Sequence, residues 1–260
     1  MSQSGPDSRK HFDAIHDDYI FFAEHATEAE QDVNHYLPHV RSLVESGELV
    51  RLLDFGCGAG EFLDRFLSGA GFRPNRLTIA LVEPDDVYRQ QAVTRTQAFT
   101  TASVAAWPSL PTEVQDYFHL ALSNHVLYYV VDLDETLRQI LNALTVGGLF
   151  LMAIAGSQNV LMQFIERCFA LLHQPLPYYR AEEVDASLAR LGIAFQKYNV
   201  PYQIDFSDTQ ENRLKILRFL LGNHFAEMDQ REALKLFDAY SNDGRIVIHT
   251  FHNHYVIRRK

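Results

Sequence analysis

Cysteine is almost absent from this chain of 260 residues: Cys57 and Cys168 stand far apart and form no Cys-x-x-Cys pair. A disulfide framework and a zinc knuckle are therefore excluded, and a reducing, cytoplasmic setting is expected. Long apolar runs are missing too. The longest, residues 149–155, falls well short of the roughly 20 residues that a membrane-spanning helix needs. Residues 1–10 are polar and lack the apolar centre of a signal peptide, so no membrane partner is expected. Positive charge is scarce, with 23 Lys plus Arg against 33 Asp plus Glu and a formal net charge of −10. That balance repels a phosphate backbone, which argues against nucleic acid, and mildly favours cationic small molecules. What remains is the composition of a folded globule, 47% hydrophobic, 12% aromatic and 22% charged. No repeat, low-complexity tract or Gly/Ser/Pro-rich linker marks a boundary, so residues 1–260 read as a single domain, a monomer or weak homodimer.

After a frayed start over residues 1–8, residues 11–44 carry Ile15, Tyr19, Phe22 and Ala26, then Val33, Tyr36, Leu37 and Val40, at helical spacing. One or two amphipathic helices are expected there, with Pro38 capping or breaking the second. Residues 49–55 read as a buried strand followed by a glycine loop and a helix over 61–67. Further strands are expected over 77–83, 99–104, 118–123 and 149–155, with helices over 87–94 and 133–144 between them. Strand and helix thus alternate through residue 155, which predicts an α/β fold with a mostly parallel, doubly wound sheet. Beyond it, helices over 159–172, 181–191, 209–221 and 229–240 interrupt two extended runs, 195–206 and 245–258, which are expected to pair antiparallel and close the sheet.

The sharpest local signal is Asp54-Phe55-Gly56-Cys57-Gly58-Ala59-Gly60 between a strand and a helix. Glycines there let backbone amides approach a ligand at the helix N-terminus. A dinucleotide fingerprint would want glycine where Glu61 stands, and no Lys-Ser/Thr follows, so a ligand without phosphates is favoured. Asp54 suits a cationic amino-acid group, and Glu83, at the end of the next strand, suits a pair of ribose hydroxyls. Amino acid, ribose and sulfonium together describe S-adenosylmethionine.

Asp-x-Gly-x-Gly-x-Gly followed by Glu83-Pro84 resembles the class I S-adenosylmethionine-dependent methyltransferases. Within them, residues 22–28, Val82-Glu83-Pro84 and Leu127-Tyr128-Tyr129-Val130 with Asp132 resemble the histamine N-methyltransferase family. The resemblance implies a Rossmann-like, mostly parallel seven-stranded sheet with helices on both faces and helical insertions. It implies N-terminal helices over the substrate site (1–46), a cofactor-binding core (49–155), insertions covering the acceptor (157–243) and a closing strand (245–258). By the family pattern Asp54, Gly56, Gly58, Gly60, Glu83 and Pro84 hold the cofactor, Tyr88 lies along the adenine, Ser103 near its edge and Asn124 beside the methionine portion. Glu28 and His125 align with the family's amine-binding glutamate and glutamine, and its C-terminal substrate asparagine falls within residues 250–253.

Methyl transfer from a sulfonium asks the protein to align donor and acceptor and to leave the acceptor's lone pair free. Glu28 or His125 is expected to hold a protonated amine and take its proton. Tyr19, Phe21 or Phe22, Tyr128 and Tyr129 are expected to wall the acceptor, whose cation favours aromatic faces. The expected activity is methylation of a small molecule at an amine or imidazole nitrogen; O-methylation, a protein substrate and a non-catalytic cofactor-binding module stay open. Alternation along 245–258 sends His252 and His254 to one face and His249 to the other. With Asp243 the only carboxylate nearby in sequence, no metal is expected. Cys57 reads as a small filler in the loop.

Overall fold

The computed structural model describes residues 15–260; the frayed start expected over 1–8, and the beginning of the helix expected from His11, lie outside them. Strands β1 (Val50–Phe55), β2 (Leu77–Val82), β3 (Ala105–Trp107), β4 (Phe118–Asn124) and β5 (Leu144–Ile154) lie parallel in the order β3-β2-β1-β4-β5. β6 (Phe195–Ser207) and β8 (Arg245–Arg258) extend that sheet, β8 antiparallel to both β5 and β6. A two-residue strand, β7 (Ser241–Asn242), pairs with the start of β8, so the sheet has eight strands where seven were expected.

The central strands are apolar on both faces because helices cover both. Leu52, Leu120, Leu122, Leu149 and Leu151 meet Tyr36 and Val40 of α2 (Glu28–Glu45) and Leu63 and Phe66 of α3 (Glu61–Ala70). The alternate residues Leu53, Ala121, Phe150 and Met152 meet Leu137 and Ile140 of α5 (Leu133–Ala143) and Val184 and Leu188 of α7 (Ala181–Arg190). A third apolar cluster joins the far halves of β6 and β8 to α1 (His16–His25), α6 (Val160–Leu171) and α8 (Gln210–Leu221). No helix among the described residues is long and apolar enough to cross a membrane.

Three local expectations are corrected. The third strand is Ala105–Trp107, not 99–104, and Gln97–Phe99 is a 3-10 turn. The Thr100 hydroxyl donates to the Leu77 carbonyl at 2.5 Å, and the Gln97 amide donates to the carbonyls of Thr100 and Ala102, which hold 97–102 as a loop. Pro38 lies inside α2 without ending it. Its cost, about 3 kcal/mol in a helix interior, is offset by full burial of Tyr36 and near-full burial of Val40 on the same face. The helix expected over 229–240 is α9 (Gln230–Leu234) continued by 3-10 turns over Lys235–Tyr240.

Two ties fix α1 and the start of α2 over the carboxyl ends of the parallel strands, where ligands bind in such sheets. Arg218 of α8 makes a bidentate pair with Asp18 at 2.9 Å for each bond, and Phe22 stacks on Phe219 at 4.6 Å. At the α1–α2 junction Ala26 bridges Ile204 of β6, the Thr27 amide donates to the Gln203 carbonyl at 2.9 Å, and the Gln203 amide donates to the Thr27 hydroxyl at 3.0 Å.

Gly56, after β1, has φ +78, and a Cβ there would come within 2.2 Å of Val126 Cγ1. Gly56→Ala is expected to destabilise the fold by about 3 kcal/mol in urea unfolding, summing left-handed strain and overpacking. Adding Val126→Ala is expected to recover the overpacking share and leave the backbone share; equal stability of Gly56→Ala and the unaltered protein would contradict this geometry.

Candidate active site

The site has a backbone-built half and a side-chain-built half, both at the carboxyl edge of the sheet. In the first, Gly56, Gly58 and Gly60 all have positive φ, at +78, +52 and +81. The amides of Gly56 and Cys57 donate to the Val82 carbonyl at 2.7 and 3.1 Å, which pins the loop to the end of β2. Gly60 packs on α4 (Asp86–Thr96), where a Cβ would meet Ala92 Cα at 3.0 Å. A Cβ on Gly58 would meet nothing within 4 Å, so this glycine's bare side faces open space, the room that a cofactor needs. Cys57 is buried, which pushes its thiol up and fits a structural filler rather than a nucleophile.

Glu83 spans the gap between loop and α4: one carboxylate oxygen accepts the Gly58 amide and the other the Asp85 amide, each at 3.0 Å. Burial raises its carboxyl, and those two amides work the other way. Pro84 is exposed beside it, and Tyr88, half-buried in the first turn of α4, donates its amide to the Asp85 cap at 3.0 Å. Asp54, 3% exposed, is pushed up to about 7, by burial first and then by the charge of Glu83. Ser103 is not brought here. Because β3 starts at Ala105 and Trp107 pairs with Val82, Ser103 precedes the strand and lies toward the opposite edge.

The second half is organised by Asp32 of α2, which has no exposed surface. The Tyr36 hydroxyl donates to Asn124 Oδ1 at 3.0 Å, and Asn124 Nδ2 donates to Asp32 Oδ2 at 2.9 Å. His125 Nε2 reaches the same oxygen at 3.2 Å, while its Nδ1 lies 3.2 Å from the Tyr128 hydroxyl, which accepts the Ala155 amide at 2.6 Å. On the other oxygen converge His252 Nε2 at 2.5 Å and His254 Nε2 at 2.8 Å. His254 Nδ1 in turn meets His35 Nδ1 at 2.9 Å. Glu28, one turn before Asp32, places Oε1 3.7 Å from His125 Nε2 and 3.6 Å from His252 Nδ1.

Electrostatics follow from this arrangement. Burial works against the Asp32 carboxylate, but the imidazoles of His252, His125 and His254 hold it well below the usual range. Burial would lower His125, but Glu28 and Asp32 together push it up to about 9. His254 is pushed down to about 4 by burial, against the pull of Asp32. The charge of Glu28 reaches four tyrosines. Burial and then the charges of Glu61 and Glu28 push Tyr19 up to about 12; burial and then the Glu28 charge raise Tyr128 and Tyr202, and burial with the neighbouring Tyr178 and Glu28 raises Tyr129.

Of the expected acceptor residues, Glu28, His125, Tyr19, Tyr128 and Tyr129 are therefore brought together. Phe22, 5% exposed, stacks on Phe219 within the apolar cluster against which Tyr128 and Tyr129 also pack. Asn253, the asparagine within 250–253, bonds Asn199 at 2.8 Å on the strand face opposite His252 and His254. The expectation that those two histidines lack a carboxylate is corrected as well. Alternation does put them on one face, but that face meets Asp32 and Glu28 of α2, and Asp243 stays in the exposed turn before β8. Asp32, His35 and Tyr202 join this cluster without having been expected there, and His252 and His254 join it although they were read as having no carboxylate partner. A signal existed: Asp32, Tyr36 and Val40 follow one another at four-residue steps, placing a carboxylate on a buried helical stripe.

Residues 10–197 match the family described as "Methyltransferase domain". No curated protein sequence matches the chain. Among solved structures it is similar to the YcgJ protein of a Bacillus species, with 18% identity, a TM-score of 0.55, and coverage of 87% of this chain and 100% of that one. It is similar to a geranyl diphosphate methyltransferase in complex with S-adenosylmethionine, with 15% identity, a TM-score of 0.53, and coverage of 90% and 86%. It is also similar to the [4+2]-cyclase SpnF, with 18% identity, a TM-score of 0.50, and coverage of 85% and 80%. At these identities the likeness is one of fold.

Asp54 yields a pH-dependent test. Its folded value, about 7, lies above its ordinary 3.8, so its contribution to stability is present below about pH 4 and lost as pH rises through 7. Asp54→Asn is therefore expected to unfold at a higher temperature than the unaltered protein above pH 7, by on the order of 2–4 kcal/mol at pH 8. The titratable groups facing Asp54 are Glu83, Tyr36 and Cys57. A cationic donor prefers the charged carboxylate, so affinity for S-adenosylmethionine is expected to rise through pH 7 in the unaltered protein and to stay weak and flat in the variant. Calorimetric titration at pH 6 and pH 8 reads both.

Proposed function

Because the chain belongs to the methyltransferase domain family, and S-adenosylmethionine is accordingly its cofactor, we propose that it methylates an amine or imidazole nitrogen of a small molecule held at Glu28. The observation that carries this reading is the setting of Glu28. It is a partly open carboxylate, 19% exposed, whose charge acts on Tyr19, Tyr128, Tyr129 and Tyr202, and it stands four positions along the helix from Asp32, which bonds Asn124. A negative charge inside an aromatic wall suits an ammonium or a protonated heteroaromatic ring, by charge and by cation–π attraction together. This is the finer, histamine-like substrate class that residues 22–28 and 127–132 suggest. The unpaired cysteines support a cytoplasmic location.

The bound cofactor supplies a methyl group on a sulfonium whose departure needs no further activation. The chain's own residues do the remaining work. Asp54 would hold the cofactor's amino group, Glu83 its ribose hydroxyls, Tyr88 its adenine and Asn124 its methionine portion. Asn124 is bonded to Tyr36 and Asp32, so the residue beside the donor and the residues around the acceptor belong to one hydrogen-bonded chain. Holding the acceptor nitrogen in line with the donor can account for roughly 7–11 kcal/mol of barrier. An ammonium must lose a proton before its nitrogen can attack. Both ring nitrogens of His125 are engaged, by Asp32 and Tyr128, so the proton goes to Glu28, directly or through water, and His125 orients that carboxylate.

Glu28→Gln keeps the shape and removes the charge. With S-adenosylhomocysteine formation as the readout, its kcat/KM on an amine or imidazole acceptor is expected to fall about 100-fold. The Kd for S-adenosylmethionine is expected to stay within about twofold, since Glu28 lies outside the donor half. Efficient turnover of phenols that is indifferent to this substitution would replace the reading with O-methylation. Donor binding with no turnover across amines, imidazoles and phenols would overturn it.

A further inference from the structure

The geometry points to a site for one divalent transition-metal ion at Asp32, His252 and His254, built from two imidazole nitrogens and one carboxylate oxygen at the floor of the acceptor pocket. Asp32 Oδ1, His252 Nε2 and His254 Nε2 form a closed triangle with sides of 2.5, 2.8 and 2.8 Å. Protons cannot satisfy such a triangle. Each imidazole nitrogen carries either one N–H or one lone pair, directed outward in its ring plane, and the carboxylate oxygen carries only lone pairs. If both imidazoles donate to Oδ1, two N–H groups face each other across 2.8 Å; if one is unprotonated, its lone pair faces the carboxylate oxygen. A cation above the triangle answers all three atoms at once.

The surroundings are those of a built ligand set. Asp32, His252 and His254 all have no exposed side-chain surface. Asp32 Oδ2 is fixed by Asn124 and His125, and the distal nitrogen of His254 is fixed by His35, the kind of outer support that orients metal ligands. Among the described residues the distal nitrogen of His252 has no hydrogen-bond partner although it is fully buried. It faces Glu28 Oε1 at 3.6 Å, within reach of a bond once Glu28 moves toward it. An N2O donor set with two imidazoles selects zinc or a neighbouring first-row ion such as iron(II) over magnesium or calcium, which require mostly oxygen ligands. This inference goes beyond the methyl-transfer reading and stands independently of the acceptor's identity.

The test uses the full chain, treated with chelator and dialysed, then titrated with zinc chloride by calorimetry in the absence of donor and acceptor. One zinc per chain is expected, retained through gel filtration and accompanied by a rise in melting temperature. His254→Ala and His252→Ala are expected to weaken uptake by at least about 100-fold, and His249→Ala, on the exposed opposite face, to leave it unchanged. Should the buried variants misfold, cobalt(II) added to the unaltered protein keeps the inference testable. A visible d–d spectrum displaced by one equivalent of zinc is expected. No uptake of zinc, cobalt or iron(II) by the unaltered chain at 100-fold molar excess overturns the site, as does uptake that folded His252→Ala and His254→Ala retain in full. Donor affinity, measured on the same samples, reads the cofactor half separately, so failure here leaves the methyl-transfer reading standing.

Discussion

The buried carboxylate of Asp32 is the constraint on which the rest of the site depends. Taking an ion out of water costs on the order of several kcal/mol even after relaxation, and the cost is met only when every lone pair finds a partner. Here the partners reach Asp32 of α2 from two other elements: Asn124 and His125 at the end of β4, and His252 and His254 on β8. A register slip by one residue would turn both β8 histidines to the opposite face and strand the charge. The pairing of Ala153 with His254 and of Ile154 with Asn253 is thus tied to the seating of α2 as well as to the ladder.

The two halves of the site obey different physics. The donor half is mostly main chain: three glycines in left-handed conformation, amides turned on Glu83, and a helix N-terminus, all fixed by local sequence. The proposed acceptor half is mostly side chain, assembled from residues as far apart as Asp32 and His254. Such a division lets one scaffold keep its cofactor while its acceptor changes, which is why similarity of fold to a methyltransferase and to a cyclase is compatible and settles no substrate. Asn124 joins the halves, since its amide faces Asp32 and its carbonyl faces Tyr36.

Legibility in the sequence follows the same division. Gly56, Gly58, Gly60 and Glu83 are readable because a strand, a tight turn and a helix lie within one short stretch and their chemistry is local. The alternation of Leu52 with Leu53 and of Leu120 with Ala121 is readable as strands buried on both sides. Ser103 is misplaced because Phe99-Thr100-Thr101 has the composition of a strand, while a hydroxyl bond from Thr100 to the Leu77 carbonyl makes it a loop. The nearness of Glu28 to His125 is signalled only through resemblance; nothing in the helical pattern of α2 separates a half-buried paired carboxylate from a solvated one. Asp32 did carry a local sign, since it shares the stripe of Tyr36 and Val40. Its partners did not, because their approach is set by how α2 crosses the ends of β4 and β8.

The histidines of β8 show how sequence distance misleads. Alternation correctly assigns His252 and His254 to one face, but the step from there to a face without a carboxylate fails, because the nearest carboxylate in the chain, Asp243, is not the nearest in space. The carboxylate they face lies 222 residues from His254. Ions and ammonium groups answer the same need at such a cluster, the excess of carboxylate over imidazolium charge. Glu28, the partly open member, is the group that either can reach first, whereas Asp32 is reachable only when the imidazoles part. On the two proposed readings an ammonium acceptor is held at Glu28 and an ion at Asp32, and the spacing of one helical turn between these carboxylates keeps the two charges distinct.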